Sequence, residues 1–191
     1  MPFELFFPKT FYYRDELISE EENGVLLAAA HALRREYPES TRSNLYTTYG
    51  SLASILERDE FQLLRRAIIA DVIRYLREIE TRDGHTCLIS DSWISISSPG
   101  DYERMHLHAG SYVSGVYYIK AVPDCGRIFF ENMDDNLWAS ARTRRENQNS
   151  ISYEPRARRL LLFNSNAPHH VARNQSPDER IALSFNVALT S

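Results

Sequence analysis

The sequence has few cysteines, little net charge and no long apolar run, and each shortage excludes a class of protein. Two cysteines, Cys87 and Cys125, are too few for a disulfide framework. A net charge of −4 provides no basic field, so we do not expect nucleic-acid binding by general electrostatics. No apolar stretch approaches the roughly 18 residues of a membrane span. The first residues lack the basic and apolar regions of a secretion signal, so we expect a cytoplasmic protein.

The N-terminal part of the chain has helical patterns. Residues 3–14 are aromatic and extended and are predicted to form an outer strand. Ser19, followed three residues later by Glu22, is typical of a capping box and predicts a helix from about 20 to 36. Apolar residues at three- and four-residue steps predict a second helix from about 58 to 80.

From about residue 86 the pattern changes to short β-rich runs separated by turn signals. The predicted strands lie near residues 86–97, 102–108, 112–121, 126–131, 151–154, 159–164, 168–173 and 180–188. Two helices followed by about eight short strands predict a mostly β protein with supporting helices. Its expected architecture is a double-sheet jelly roll, cupin-like, with the N-terminal helices packed on one sheet.

We predict a single domain over residues 1–191. Residues 1–85 would supply the outer strand and the helical support, and 86–191 the jelly-roll core. Residues 131–158 are polar and less regular, and long polar loops in compact domains are usually functional or disordered. We interpret this segment as a candidate lid beside which substrate would enter, and a merely solvated insertion is the alternative.

Four of the six histidines fall in two clusters, and imidazole is the commonest protein ligand for transition metals. His106 and His108 are two residues apart, so in a strand they share one face and can converge on one metal. His169 and His170 are adjacent and face opposite ways, so at most one of them can be a ligand. The spacing alone does not choose between these two.

Arg180 begins the last predicted strand, where one face is apolar and the other carries small or polar residues. Its planar fork of donors suits a carboxylate. On the strand predicted over 112–121, Ser114 and Tyr118 share a face and could add hydroxyl contacts to the same anion. A metal site beside an anion site is typical of oxidative chemistry at a non-heme iron, because three protein ligands leave open positions for a bidentate co-substrate and dioxygen.

Three stretches carry a resemblance to a known family. They run from Gly100 to Ile119, from Leu161 to Val171 and from Glu179 to Asn186. In these stretches the chain resembles the 2-oxoglutarate- and Fe(II)-dependent oxygenases, and most closely a group of bacterial and phage oxygenases. The resemblance covers roughly residues 90–188 and implies a double-stranded β-helix, which is another name for the jelly roll.

The resemblance also implies roles for individual residues. His106 matches the first metal ligand of the family. His169 rather than His170 matches the distal ligand, because the family's histidine precedes one residue and then Val. Arg180 matches the basic residue that anchors the far carboxylate of 2-oxoglutarate, and Tyr118 lies near the family's tyrosine contact to that co-substrate.

The chain departs from the family pattern at two places in the site. His108 stands where better-known members carry Asp, although this group often carries His there. Glu131 or Asp134 could supply a carboxylate ligand instead. Ala182 stands where many relatives have a Ser that assists the arginine, and Ser184 on the same face could substitute for it.

The expected function is that of a non-heme Fe(II) dioxygenase. Iron bound by His106, His108 and His169 would use 2-oxoglutarate and dioxygen, coupling oxidative decarboxylation to hydroxylation of a small-molecule or peptide substrate. Arg180, Tyr118, Ser184 and Ser114 are the candidate co-substrate contacts. Two alternatives remain open: a cupin-type three-histidine metalloenzyme that uses no 2-oxoglutarate, and a non-catalytic relative. The sequence identifies neither the substrate nor the oligomeric state.

Overall fold

The computed structural model describes residues 9–39, 41–42, 45–52, 54–79, 81, 85–133, 144, 146 and 148–190. The helices are α1 (Glu20–Glu36) and α2 (Gln62–Glu78), the latter preceded by 3-10 turns at Ile55–Glu57 and Asp59–Phe61. The strands are β1 (Phe11–Arg14), β2 (Thr41–Arg42), β3 (Leu45–Thr47), β4 (Thr86–Ser97), β5 (Glu103–His106), β6 (Val113–Lys120), β7 (Ile128–Glu131), β8 (Ser150–Tyr153), β9 (Leu160–Asn164), β10 (His169–Val171) and β11 (Arg180–Thr190).

The strands form two antiparallel sheets. The larger sheet has seven strands in the order β1-β9-β6-β11-β4-β3-β2, and the smaller has four in the order β5-β10-β7-β8. Strands distant in sequence lie side by side, as in a jelly roll. The predicted double-sheet architecture is therefore confirmed, and all eight predicted strands of the C-terminal part are present.

Strand β11 separates two apolar cores because its side chains alternate between the faces of the larger sheet. Ile181, Leu183 and Phe185 pack with residues of both helices in the first core. Ala182 packs between the two sheets in the second. The predicted placement of the helices on one sheet is confirmed.

The start of α1 confirms the predicted capping box. The backbone N–H of Glu22 donates to Ser19 Oγ at 3.2 Å, and the N–H of Ser19 donates to Glu22 Oε2 at 2.8 Å. These bonds satisfy donors that the first helical turn leaves without partners. They also lower the pKa of the Glu22 carboxyl, because they stabilise its charged form.

Two predicted segments lie partly outside the residues that the structure describes. Strand β1 covers the last part of the predicted outer strand, while residues 1–8 lie outside the described residues. The candidate lid contains β8, and its residues 134–143, 145 and 147, with Trp138 and Arg142 among them, also lie outside the described part, so the lid stays a prediction. No helix that the structure describes is long and apolar enough to span a bilayer.

Candidate active site

Three histidines converge between the two sheets. His106 ends β5 and His169 begins β10, and these residues are direct neighbours across the antiparallel pair, so their ring centroids lie 4.2 Å apart. His108 lies two residues beyond β5, and its backbone N–H donates to the carbonyl of Ser165 at 2.9 Å. One ligand nitrogen from each of the three imidazoles lies within 4.8 Å of the others.

Backbone carbonyls orient two of these rings. Nδ1 of His106 lies 2.7 Å from the carbonyl oxygen of Arg104, and Nδ1 of His169 lies 2.9 Å from that of Ala167. A carbonyl can only accept, so each Nδ1 must carry the proton and donate it. The lone pair of each ring is thereby left on Nε2, in the tautomer that a metal-binding histidine needs.

Burial keeps the rings of His108 and His169 neutral. Burial, with the nearby His106 as the next cause, lowers the pKa of His108 from 6.5 to about 4. Burial and the same neighbour lower the pKa of His169 to about 3. Neutral imidazole is the form that binds metals, so neither ring has to lose a proton at neutral pH before coordination.

These low pKa values predict that the metal-free fold loses stability in mild acid. An unfolded chain protonates these histidines near 6.5, whereas the folded pKa values are about 4 and 3. Between the unfolded and the folded pKa values, the unfolded chain binds more protons than the folded protein. The free energy of unfolding is therefore highest above pH 6.5 and falls as the pH decreases towards the folded pKa values. Urea unfolding of chelator-treated protein across this range should show the loss, and a His108→Gln, His169→Gln double variant should show a shallower dependence. Equal slopes for the two proteins would contradict this account.

The second histidine of the adjacent pair points elsewhere. The His170 ring stacks on Phe129 with centroids 5.1 Å apart, and its Nδ1 lies 3.8 Å from Oε1 of Glu131. The structure therefore brings His169, not His170, into the cluster. Glu131 is not part of the cluster, and its carboxylate accepts a hydrogen bond from Ser150 Oγ at 3.0 Å. Asp134, the other carboxylate alternative, lies outside the described residues.

The donor set fits a divalent transition metal. Three imidazole nitrogens suit Fe(II), and a three-residue site leaves coordination positions open. Phe130 and Phe163 pack against the His169 ring with centroids 5.6 and 4.9 Å away, which keeps water from that side. With His108 in place of a carboxylate, the loaded site would carry one more unit of positive charge and would attract an anionic co-substrate more strongly.

Arg180 is a buried cation without an acid beside it. The residue is 6% exposed, and its Nη1 donates to the backbone carbonyls of Cys125 and Gly126, both at 2.8 Å. Within the described part of the chain, no carboxylate forms an ion pair with it. Arg159 is also 6% exposed but binds both carboxylate oxygens of Asp15, at 2.5 and 2.8 Å. A buried charge without a partner is costly, so the surroundings of Arg180 favour an anionic ligand.

Tyr118 adds a hydroxyl to this region. The residue is buried, and burial raises the pKa of its phenol to about 12, an effect partly offset by the guanidinium of Arg180. The phenol therefore keeps its proton at neutral pH and can donate it. None of the described residues hydrogen bonds to this hydroxyl. We call this protonated phenol and the guanidinium, for which the structure describes no acid partner, the candidate anion pocket.

The pairing of β11 with β4 shows the order of the site residues along these strands. Along β11 the inward residues Arg180, Ala182, Ser184 and Asn186 face Ser97, Ser95, Trp93 and Asp91 of β4, respectively. The Trp93 ring stacks on that of His108, with centroids 5.6 Å apart, so the histidines lie at the level of Ser184. Four residues, or roughly 13 Å of strand, separate this level from Arg180. Small side chains, those of Ala182 and Ser95, occupy the intervening level.

Two predicted co-substrate residues lie away from the anion pocket. Ser114 is 1% exposed and donates to Asn186 Oδ1 at 2.7 Å, while its Oγ lies 2.8 Å from Ser165 Oγ. Ser184 lies at the level of the histidines, opposite Trp93. The structure therefore brings Arg180 and Tyr118 together, and it does not bring Ser114 or Ser184 to them.

Gly126 positions Arg180, and sequence reasoning missed it. Its φ of +93° is one that residues with a side chain rarely adopt, and a Cβ there would lie 2.2 Å from the Ala172 carbonyl oxygen and 3.0 Å from Nη1 of Arg180. The alternation of side chains along a β-strand does not predict a role for a glycine at such a position. The signal available in the sequence was the turn around Pro123 and Gly126.

We expect Gly126→Ala to displace Arg180 and weaken binding of an anionic ligand. The backbone strain alone should lower the free energy of unfolding by about 1–3 kcal/mol, and the clash should add to this loss. Gly100→Ala is a matched control, because Gly100 also has φ +93° but its nearest neighbour is the Arg173 Nη1 at 3.8 Å. Calorimetric titration with 2-oxoglutarate should show a weakening of about tenfold or more for the Gly126 variant alone. Equal affinities for the two variants would contradict the positioning role.

A cavity of about 450 Å³ opens beside the histidines. Its lining includes His106, His108, Trp93, Asp91 and Asn186 together with residues of β3 and β5, and it does not include Arg180. Strand β3, which the sequence did not predict, forms part of one wall. Tyr118 does not line the cavity either.

The comparison with protein families gives one match. Residues 91–186, about half of the chain, match the family described as "Putative 2OG-Fe(II) oxygenase". The chain belongs to this family of Fe(II)- and 2-oxoglutarate-dependent oxygenases. The matched segment contains the three clustered histidines, Arg180 and Tyr118. No curated protein matches the sequence.

Solved structures share the fold at low sequence identity. The epimerase SnoN in complex with Fe3+, alpha ketoglutarate and nogalamycin RO is 16% identical, covers 95% of this chain and 79% of its own, and has a TM-score of 0.70. A Pseudomonas putida prolyl-4-hydroxylase is 16% identical over 94% of this chain and 92% of its own, with a TM-score of 0.64. HygX from Streptomyces hygroscopicus, with nickel and 2-oxoglutarate bound, is 11% identical over 95% of this chain and 83% of its own, with a TM-score of 0.62. These likenesses establish a double-stranded β-helix.

Proposed function

We propose that this oxygenase hydroxylates a small-molecule or peptide substrate, with Fe(II) held by His106, His108 and His169. The observation that carries the proposal is the convergence of three imidazole nitrogens within 4.8 Å of one another. They lie in the same jelly-roll interior as a buried arginine that no described acid neutralises. An epimerase and a hydroxylase share this fold, so the fold does not determine the type of oxidation. Hydroxylation is therefore part of the proposal.

Arg180 and Tyr118 are proposed to hold the distal carboxylate of 2-oxoglutarate. The guanidinium supplies a fixed positive charge, and the phenol donates its proton to a carboxylate oxygen. Both groups are buried, so water competes weakly for the same donors. We propose that the co-substrate extends from this pocket, past the small side chains of Ala182 and Ser95, towards the histidines.

The loaded metal, with 2-oxoglutarate and dioxygen, supplies the oxidising chemistry. The chain itself fixes the geometry and restricts water. Hydrogen bonds from Nδ1 to the carbonyls of Arg104 and Ala167 hold two rings in one tautomer, and the Trp93 ring supports that of His108. The cavity beside the rings, which Arg180 does not line, is the proposed place for substrate.

Turnover without substrate provides the test. Protein supplied with Fe(II), 2-oxoglutarate and dioxygen should form succinate slowly, and addition of a true substrate should raise the rate and yield a product heavier by one oxygen atom. Omission of iron or dioxygen is the control. A metal that binds without any 2-oxoglutarate affinity would instead support a cupin-type three-histidine enzyme, and a lack of both would indicate a non-catalytic relative.

A further inference from the structure

The cavity beside the histidines contains an acid to which the reaction, as proposed above, assigns no role. Asp91 lies on β4 directly opposite Asn186 of β11, one inward level beyond Trp93. The pairing of β4 with β11 is interrupted just here, because Asn186 faces Asp91 whereas Val187 faces Ile89. The extra residue, Ser90, forms a β-bulge. Bulges re-aim neighbouring side chains and are frequent next to active sites.

A chain of hydrogen bonds fixes the Asp91 carboxylate. Asn186 Nδ2 donates to Asp91 Oδ1 at 2.7 Å, and Asn186 Oδ1 accepts from Ser114 Oγ at 2.7 Å. Ser114 has a single proton to give, so Ser165 must donate across the 2.8 Å contact between the two hydroxyls. Every bond in the chain therefore points towards Asp91. The chain thereby holds the Asp91 carboxylate in a fixed orientation.

The charge of Asp91 has no cationic partner among the residues that the structure describes. Its Oδ2 accepts one hydrogen bond, from the neighbouring Ser90 Oγ at 3.2 Å. Glu103 and Arg104 of β5 also line the cavity and carry opposite charges. An oriented carboxylate in a cavity, without a cation of its own, is complementary to a ligand that carries a positive charge.

Two aromatic rings line the same cavity as this acid, and Trp93 is the next inward residue along β4. Trp93 and Tyr49 both line the cavity, and their rings meet edge to face with centroids 4.8 Å apart. Aromatic faces attract cations, and they also cover the apolar part of an amphipathic ligand. An acid flanked by aromatic rings recognises an amine or guanidinium with an apolar neighbour better than it recognises a neutral polar group.

We propose that the substrate of this oxygenase carries a protonated amine or guanidinium group, which Asp91 binds in the cavity. The aromatic side chains of Trp93 and Tyr49 flank the group, and the adjoining carbon atoms lie towards the histidine cluster. This inference rests on the proposed function for the oxidation itself. The recognition of a cation by Asp91 stands on the cavity and the hydrogen-bond chain.

Binding of two matched probes tests the proposal. 2-Phenylethylammonium and neutral 2-phenylethanol have nearly the same shape, and their affinities can be measured by calorimetry on protein loaded anaerobically with Fe(II) and 2-oxoglutarate. We expect the ammonium to bind at least about tenfold more tightly to the natural protein, because a hydrogen bond to a charged partner replaces a neutral one. Asp91→Asn keeps the side-chain shape and should remove this preference. Glu103→Gln, which changes another cavity acid, should preserve it.

The outcomes separate the two proposals. If the natural protein binds iron and 2-oxoglutarate but holds both probes equally, the assignment of Asp91 is overturned while the proposed function stands. If it binds neither iron nor 2-oxoglutarate but still prefers the ammonium through Asp91, the proposed function fails and the cation site stands. Retention of the preference in Asp91→Asn would also overturn the assignment. The comparison of the probes on the natural protein does not depend on how any variant folds.

Discussion

Replacing His169 with alanine should weaken Fe(II) binding by at least about a hundredfold, and replacing His170 should leave it nearly unchanged. His169 is 4% exposed, and its Nε2 faces the other two imidazoles, so its loss removes one of three ligands from a site with no described carboxylate. The His170 ring stacks on Phe129 outside the cluster. Loss of groups that merely orient a ligand typically costs 10- to 100-fold in metal affinity, and loss of a ligand should cost more.

The two variants form a matched pair, since the residues are adjacent and chemically identical. Competition with a chromophoric chelator gives the metal affinity of each, and circular dichroism shows whether each remains folded. Equal losses for His169→Ala and His170→Ala would contradict the assignment of the cluster. His108→Asp is a further comparison, and we expect it to retain iron, because a carboxylate is also a good ligand for Fe(II) at such a site.

Replacing Arg180 with alanine should weaken 2-oxoglutarate binding while leaving metal affinity nearly unchanged. A buried charge pair that loses one partner typically costs about 2–5 kcal/mol, which corresponds to a loss of roughly thirtyfold or more in affinity. The metal should remain because Arg180 lies about four strand residues, or roughly 13 Å, from the level of the histidines. Calorimetric titration of the metal-loaded variant with 2-oxoglutarate measures the effect.

Arg159→Ala provides the control for burial. Arg159 is as buried as Arg180, but its guanidinium is already neutralised by Asp15. We expect its removal to lower stability, because Asp15 loses its two shortest hydrogen bonds, and to leave the affinity for 2-oxoglutarate within about threefold of the natural protein. Unchanged co-substrate affinity in Arg180→Ala, or an equal loss in both variants, would show that Arg180 does not hold the carboxylate.

The larger secondary structure was predictable because its signals are local. The capping box at Ser19 and Glu22, the helical spacing in α2 and the alternation along β11 each reflect burial on one face of a regular element. Strand β3 was missed because three residues are too few to show a period. The strand predicted over 102–108 ends at His106, yet His108 still joins the cluster, because a backbone bond to Ser165 holds it there.

The partners of polar side chains were harder to predict. Ser114 has a hydroxyl on the inward face, and the sequence alone could not show that Asn186, distant along the chain, accepts its proton. The role of Asp91 could not be predicted from the sequence, because it depends on the β-bulge and on the cavity around the residue. The choice of His169 over His170 came from the resemblance to the family. Adjacent residues of a strand face opposite sides, so the strand geometry excludes one of the two histidines but does not show which one.

An anaerobic titration with Fe(II) followed by 2-oxoglutarate shows whether the three histidines form an iron site that binds this co-substrate. We predict that one equivalent of iron binds and that one equivalent of 2-oxoglutarate then binds with a visible absorption change from chelation of the iron. Co-substrate affinity should fall sharply without metal. Absence of iron binding, or 2-oxoglutarate binding that is indifferent to the metal, would contradict it.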